Sequence, residues 1–308
     1  MFTSGTFSGQ IWVVKADTNR GQTHGEPEQL THTDGVLNIS PSISRDGRWL
    51  AYTAHNPVSG DSSIRLMDFA TGAERQLIEG NGLGDTSISP DGSRVAYTGF
   101  VNEKAVTLLV PVAGGIPSQL CQDCAPRGFS SDGSVLLTQQ GYVGDVRGRA
   151  VAIRIPGGEA KDVLADPKYS LWHEFFSWDD RWISFKIVPE EPRGKMMIAP
   201  IRNGVPARES EWVSVTDGTY ADDKPQFSPD GNTLYFTSER DGHLCIWAQH
   251  LDRTTKRPSG APFVVQHFHN ALWRIMDNRW AAELWVARDK IVTNFREVHG
   301  DIWMMKLD

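Results

Sequence analysis

The feature that most constrains this chain is a short turn motif that recurs along nearly its whole length. Each copy has Ser or a small residue, then Asp followed by Gly or an equivalent turn residue, between two apolar runs. The turn aspartates are Asp46, Asp91, Asp132, Asp179, Asp230 and, in a degraded copy, Asp289. Asp-Gly between apolar runs is a strong hairpin signal because both residues tolerate positive φ, and a Ser two residues earlier can bond the turn backbone. We therefore predict that each aspartate joins the first two strands of one repeat.

Two further strands complete each repeat. A third strand, which ends in Asp or a small turn, occurs in several copies, at residues 9–17, 64–68, 244–252 and 300–308. A fourth, short strand ends in Leu, as at residues 74–77 and 117–120. The 29 glycines and 17 prolines interrupt the chain too often for a sustained helical period. Four strands in about 40 to 50 residues is typical of a propeller blade, so the prediction is an all-β chain with a single β-propeller domain over residues 1–308.

Closure of the ring leaves two alternatives. The C-terminal repeat has three strands and lacks the fourth, whereas the N-terminus has a spare third-type strand at Ile11–Asp17 and a fourth-type strand at residues 28–31. A six-bladed ring of four-stranded blades would use the N-terminal strands to finish the last blade, with Ile11 and Ile302 on alternative third strands. A seven-bladed ring would need a blade made only of N-terminal strands. We favour six blades, closed by the N- and C-terminal strands.

Composition excludes several classes of protein. Net charge is −7 and no Lys/Arg run occurs, which argues against electrostatic nucleic-acid binding. No apolar stretch is long enough to span a membrane. The first residues have neither a basic nor an apolar region, so we expect no signal peptide. Three cysteines do not make a disulfide scaffold.

The repeat resembles that of TolB-like propellers, also called WD40-like or PD40 repeats. Its best copy is Ser228-Pro229-Asp230-Gly231, followed by the Ile246-Trp247 strand. The C-terminal half is more similar still to the propeller that follows the kinase domain in bacterial, notably acidobacterial, serine/threonine kinases. The segments that carry this second likeness are residues 120–124, 216–218, 228–242, 245–249 and 267–271. No kinase motif is present. The resemblance implies a binding fold and an extracytoplasmic sensor, without catalytic residues; otherwise the expected compartment is the cytoplasm.

Propeller topology points to a site. The loops from each fourth strand to the next first strand gather around one mouth of the central channel, and they carry aromatic, acidic and basic residues that suit a polar ligand with an apolar face. The predicted ligand-binding residues are Asp85, Arg127, Trp172, His173, Glu174, Tyr220, Asp222, Asp223, His267, His269 and Trp273. The alternative is that these side chains merely pack and solvate a closed channel.

Two narrower patterns each allow a functional and a structural interpretation. His267 and His269 lie two apart, so that on a strand they would point the same way, and with His173 they would supply three imidazoles for a transition metal; packing is the favoured alternative, and no cofactor is predicted. The Cys121-x-x-Cys124 spacing is interpreted as a small structural loop, with a local disulfide, a redox pair or a zinc site as the alternatives.

Paired carboxylates complete the set of candidates. Asp179-Asp180 lies in a hairpin turn and is expected to be structural. Asp222 or Asp223 with Glu174 would make an acid/base pair if the channel held a glycan.

Two functions remain open. The favoured one is a non-enzymatic recognition propeller that binds a protein partner or a small polar ligand at the channel mouth. The alternative is a propeller hydrolase or lyase acting on a saccharide or ester, with a histidine-bound metal or an acidic pair in the channel. The uneven N-terminal strands also fit a part of a longer polypeptide or assembly.

Overall fold

The computed structural model describes residues 2–141, 148–188, 194–202, 207–269, 273–275 and 283–303. Within these ranges the regular structure is β-strand apart from a 3-10 turn at Glu209–Glu211. No helix in the described residues is long and apolar enough to cross a membrane. The all-β prediction is confirmed.

The strands follow one another at short intervals. In chain order they are β1 (Phe2–Asp17), β2 (Gln22–Thr23), β3 (Glu28–Gln29), β4 (Leu37–Ile43), β5 (Trp49–His55), β6 (Asp61–Asp68), β7 (Glu74–Asn81), β8 (Gly84–Ile88), β9 (Arg94–Val101), β10 (Lys104–Pro111), β11 (Ser118–Gln122), β12 (Cys124–Phe129), β13 (Val135–Gln140), β14 (Arg149–Arg154), β15 (Ala160–Leu164), β16 (Ser170–Phe176), β17 (Trp182–Val188), β18 (Lys195–Pro200), β19 (Val213–Ser214), β20 (Asp223–Phe227), β21 (Thr233–Ser238), β22 (Cys245–His250), β23 (Phe263–Gln266), β24 (Trp273–Ile275), β25 (Leu284–Val286) and β26 (Lys290–Trp303).

Most strands pair with their neighbours in sequence. Four sheets are antiparallel meanders of four strands, β8 to β11, β12 to β15, β16 to β19 and β20 to β23, and β4 to β7 form a fifth meander. That fifth meander is joined to β1 by one parallel pairing, Gly9 with Leu37. A Cβ at position 9 would lie 3.3 Å from the Leu37 Cα, so glycine allows this close approach of the two backbones.

The six turn aspartates occupy equivalent places. Each lies between the first and second strands of one meander, and Asp289 lies between the paired strands β25 and β26. In the turn of Asp230, Ser228 Oγ donates to Asp230 Oδ1 at 2.6 Å and accepts from the Thr233 N–H at 3.0 Å. The same pair of contacts recurs at Ser44, Ser89, Ser130 and Ser177. The turn prediction is confirmed.

The two ends of the chain meet in one sheet. β1 pairs antiparallel with β26 from Phe2–Trp303 to Lys15–Lys290, and β3 pairs with the other edge of β1. The predicted pairing of the termini is confirmed. One detail was wrong: Ile302 does not begin an alternative third strand, because β26 continues through it and pairs it with Thr3.

Apolar side chains are buried between neighbouring sheets. Ala51 and Leu66 of the first meander, for example, pack with Ile88 and Tyr97 of the next. The innermost strands β4, β8, β12, β16, β20 and β25 contact one another in succession, and β25 contacts β4 again. Each innermost strand therefore turns one side toward a common centre, where the polar side chains described next are found.

Candidate functional site in the channel and at its mouth

The chain passes from the outermost strand of one meander to the innermost strand of the next on a single face. We call this the upper face; it also carries the turns between second and third strands. The aspartate turns lie on the opposite, lower face. The predicted site residues were expected in the connections on the upper face, and for six of them this was wrong. The six that lie inside innermost strands are Asp85, Arg127, Trp172, His173, Glu174 and Asp223.

A β-bulge recurs near the start of five innermost strands. In each case the register shifts between the innermost strand and the second strand of the same meander. The shifts lie at Ile39/Ser42, Gly84/Thr86, Pro126/Gly128, Trp172/Phe175 and Asp223/Gln226. Bulges re-aim side chains, and the residues inside these shifts include Asp85, Arg127, His173, Glu174 and Lys224. Three bulge residues, Ser40, His173 and Lys224, have φ values of 51°, 55° and 56°. The bulges thus give the charged residues equivalent positions around the centre.

Arg127 lies between two carboxylates in the channel. Its Nη1 is 3.6 Å from Asp85 Oδ1 and its Nε is 3.8 Å from Glu174 Oε2. Gln139 Oε1 accepts a hydrogen bond from Arg127 Nε at 3.0 Å. Glu174 is fully buried, and neither of its carboxylate oxygens accepts a hydrogen bond from the described residues. Burial raises the pKa of Glu174, partly offset by the charge of Arg127.

His173 and Asp223 form a second buried unit. His173 Nδ1 is 2.6 Å from Asp223 Oδ1, and Lys186 Nζ is 3.1 Å from Asp223 Oδ2. Burial lowers the pKa of His173 to about 3, so the ring is neutral at pH 7. Burial alone would raise the pKa of Asp223, but His173, Lys186 and Lys224 together hold it well below its usual range.

Two more ion pairs complete what we call the channel cluster. Lys224 Nζ is 2.8 Å from Glu283 Oε1, and Arg240 Nη2 is 2.8 Å from Asp222 Oδ2. The members of the cluster are Asp85, Arg127, His173, Glu174, Lys186, Asp222, Asp223, Lys224, Arg240 and Glu283. Burial also raises the pKa of Glu283. The cluster thus contains five carboxyl groups and four Lys or Arg side chains, besides the His173 ring.

Little space is left inside the channel cluster. The cavity lined by Asp85, Arg127, Phe175, Glu283 and Trp285 measures about 10 Å³, which is no more than one water molecule needs. A cavity of about 70 Å³ lies toward the lower face and shares Phe175 and Trp285. At its lower end the guanidinium groups of Arg45 and Arg288 lie 4.7 and 5.2 Å from the Trp178 ring. Among the described side chains, this cavity is therefore too small for a ligand larger than water.

A wider groove lies away from the predicted site. It measures about 400 Å³ and is lined on the lower half by residues such as Asp132, Arg154, Glu159 and Lys161. None of the predicted site residues lines it.

The predicted histidines do not converge. His173 is in the channel cluster, whereas His267 Nδ1 and His269 Nε2 lie 2.7 and 2.9 Å from Asp241 Oδ2 at the rim of the upper face. His243 stacks on His269 with ring centroids 4.3 Å apart. A metal held by His173, His267 and His269 together is inconsistent with this arrangement.

The remaining predicted residues lie at the margin of the channel cluster. Trp172 is half-buried, with its ring centroid 6.4 Å from that of His173. Tyr220 is exposed and lies under the guanidinium of Arg240, 5.0 Å from it. Trp273 begins β24, which pairs with β26, and its side chain lies outside the described residues. The predicted set did not include Lys186, Lys224, Arg240 or Glu283. It contained more acidic than basic residues, and this excess was a signal that buried cations were missing from it.

Cys121 and Cys124 are joined by a disulfide where β11 passes into β12. The disulfide alternative is therefore correct, and the favoured interpretation as a small structural loop without a disulfide or redox role was wrong. Asp179 and Asp180 are structural, as predicted: Asp179 bonds Ser177 in its own turn, and Asp180 accepts the Ser131 N–H of the neighbouring turn at 2.8 Å.

Comparison with known proteins identifies the fold. No family model and no curated protein matches the chain. A putative TolB from Agrobacterium tumefaciens superimposes with a TM-score of 0.69 at 17% identity, covering 97% of this chain and 100% of that one. TolB from Acinetobacter baumannii gives 0.63 at 18% identity and covers 82% of this chain, which spans 64% of the length of that protein. An oligogalacturonate lyase in complex with manganese gives 0.55 at 14% identity, covering 89% and 80%. At these identities the likeness shows the fold alone: the chain is a β-propeller similar in structure to TolB.

Proposed function

We propose that this chain is a non-enzymatic recognition propeller with six blades, and that it binds a protein partner on its upper face. The sixth blade consists of β25, β26, β1 and β3, so that the N-terminal strands complete it. The support for six is that the innermost strands of six such units contact one another in one cycle.

The closed channel favours binding at the surface. A ligand inside the channel cluster would have to separate buried ion pairs such as Lys224–Glu283, at a cost of several kcal/mol for each unpaired charge. The cavity of about 10 Å³ also leaves no room for a sugar or a side chain. Binding on the surface above the channel cluster requires neither the separation of these ion pairs nor a larger cavity.

The observation that carries the proposal is the distribution of exposed apolar residues. Among the described residues five large hydrophobic side chains are exposed, and four of them lie on the upper face: Val58, Phe100, Val101 and Tyr220. Val58 is in the turn between β5 and β6, and Phe100 and Val101 end β9 beside the hairpin to β10. These four side chains come from three meanders and so are distributed around the upper face, and exposed aromatic side chains are enriched in protein interaction sites. Only Ile116 is on the lower face within the described chain.

The enzymatic alternative has weaker support. A histidine with a pKa of about 3 is a poor base near neutral pH, and His173 has Asp223 as its hydrogen-bond partner. The candidate carboxylates are committed to cations, Asp222 to Arg240 and Asp223 to Lys186. Glu174 is fully buried and does not line the channel cavity of about 10 Å³.

Site-directed photo-crosslinking tests the proposal. A benzophenone side chain at position 100 in cells of the source organism is expected to capture one protein, and the same side chain at position 116 is not. The captured protein, once purified, should bind the wild-type chain, and Phe100→Ser should weaken binding at least tenfold by calorimetry while Ile116→Ser leaves it unchanged. The proposal fails if both positions capture the same proteins or if Phe100→Ser binds like the wild type.

A further inference from the structure

We propose that Asp241, Cys245, His267 and His269 bind one transition-metal ion, with zinc as the best match. This cluster lies at the rim of the upper face, apart from the channel cluster. The inference is independent of the proposed partner binding.

The ligand atoms are already close together. One atom from each of the four side chains lies within 4.8 Å of all the others. A tetrahedral zinc ion with bonds of about 2.0 to 2.3 Å places its ligand atoms about 3.3 to 3.8 Å apart. Asp241 Oδ2 is 2.7 Å from His267 Nδ1 and 2.9 Å from His269 Nε2. Small side-chain rotations therefore suffice to place the four atoms around an ion.

The sheet holds the ligands in register. Cys245 is the first residue of β22, and its neighbour Ile246 pairs with Gln266, the last residue of β23. That pairing places Cys245 beside His267 through the backbone alone. Asp241 lies in the turn that leads into β22. Asp241 thus lies just before β22 and Cys245 at its start, and His267 and His269 lie just after the end of β23. The antiparallel pairing of Ile246 with Gln266 holds these two segments side by side.

The donor set selects the metal. One thiol, two imidazoles and one carboxylate suit zinc or cobalt, whereas magnesium and calcium prefer oxygen ligands alone. A thiol binds zinc as the thiolate, so metal binding must release the proton of Cys245. The Phe268 N–H already points at Cys245 Sγ, 3.3 Å away, and would stabilise the thiolate.

The proposed zinc site has four protein ligands. That is the number in a structural zinc site, and it leaves no coordination position open for catalysis. His267 and His269 are about half exposed, at 50% and 42% of their side-chain areas, so an ion can enter from solvent. Bound metal would fasten the segment after β23 to the turn before β22.

Metal titration tests the inference directly. Chelator-treated protein is titrated with zinc by calorimetry and with cobalt by absorption spectroscopy. We expect one equivalent to bind, an increase in melting temperature, and a thiolate-to-cobalt charge-transfer band. Absence of saturable binding, or a cobalt complex without that band, overturns the proposed ligand set.

Variants separate this site from adventitious binding. His267→Ala with His269→Ala should weaken zinc binding at least a hundredfold, whereas the matched pair His24→Ala with His32→Ala, on exposed histidines elsewhere, should leave it unchanged. Cys245→Ser should bind cobalt without the charge-transfer band. If the double variant at 267 and 269 binds zinc like the wild type, the proposal is wrong. Partner binding measured through Phe100 has a different readout, so the two proposals can fail separately.

Discussion

The Nδ1–H of His173 donates a hydrogen bond to the Asp223 carboxylate across two neighbouring innermost strands, with Nδ1 2.6 Å from Oδ1. With Asp223 also paired to Lys186, the arrangement keeps the carboxylate ionised and the imidazole neutral. His173 has a φ of 55°, a conformation that Asn tolerates better than most residues. The pair is therefore a fixed part of the channel, and His173→Asn is the replacement that disturbs it least.

We predict that His173 makes the protein less stable in acid. Its pKa is about 3 in the folded state and near its ordinary value of 6.5 when unfolded, so below pH 6.5 only the unfolded state gains the proton. The free energy of unfolding should fall as pH drops from 6.5 toward 3, by at most about 1.4 kcal/mol per pH unit from this group. In His173→Asn the fall between pH 7 and pH 5, measured by urea unfolding, should be smaller. The same fall in His173→Asn and in the exposed control His32→Asn would contradict this.

The fold could be predicted because its signals are local. Each Ser-x-Asp turn forms its own hydrogen bonds, as between Ser228, Asp230 and Thr233. The five Ser-x-Asp copies and the degraded copy at Asp289 therefore predict six hairpins without knowledge of distant contacts. The pairing of β1 with β26 followed from the strand left over at Ile11. The prediction that Ile302 lies on a separate third strand was wrong because nothing in the sequence marks an end of β26 before Ile302.

The site was only partly predictable because its contacts are long-range. The sequence placed Arg127, Glu174 and Asp223 at one end of the channel, but it could not show the bulges that turn them inward. Nor could it show that Lys224 meets Glu283, since the two residues lie on different innermost segments. The His267-x-His269 pattern was recognised, yet its true neighbours, Asp241 and Cys245, follow from the pairing of β22 with β23.

The buried pair of Lys224 and Glu283 should show strong coupling. Lys224→Met leaves the Glu283 carboxylate buried beside Asp85 without its cation, and we expect a loss of about 3 to 5 kcal/mol in the free energy of unfolding. Adding Glu283→Leu should restore most of that loss, because an apolar pair replaces both charges. Chemical denaturation of the two single variants and the double variant measures the coupling. Additive losses would mean that the pair does not interact as the geometry indicates.

The serine of an aspartate turn should stabilise its hairpin. Ser228 is fully buried and both donates to Asp230 and accepts from the Thr233 N–H, so Ser228→Ala leaves that N–H without its acceptor. We expect a loss of about 1 to 3 kcal/mol in the free energy of unfolding. Ser210→Ala, at an exposed serine in the 3-10 turn, is the control and should change stability very little. Equal effects of the two substitutions would show that the turn bonds contribute nothing.

The N-terminal strand should be essential to the stability of the whole ring. Deleting residues 1–31 removes β1, which pairs with β26 along its length and buries Ile11, Val13 and Val14. Each of these side chains contributes about 1.5 to 3 kcal/mol on burial, and the deletion also exposes the edge of β26. The melting temperature, followed by circular dichroism, should fall by at least about 10 °C. A synthetic peptide of residues 1–31 added in excess should restore part of the loss, whereas a peptide of the same composition in scrambled order should not. An unchanged melting temperature after deletion would show that the ring does not depend on this strand for closure.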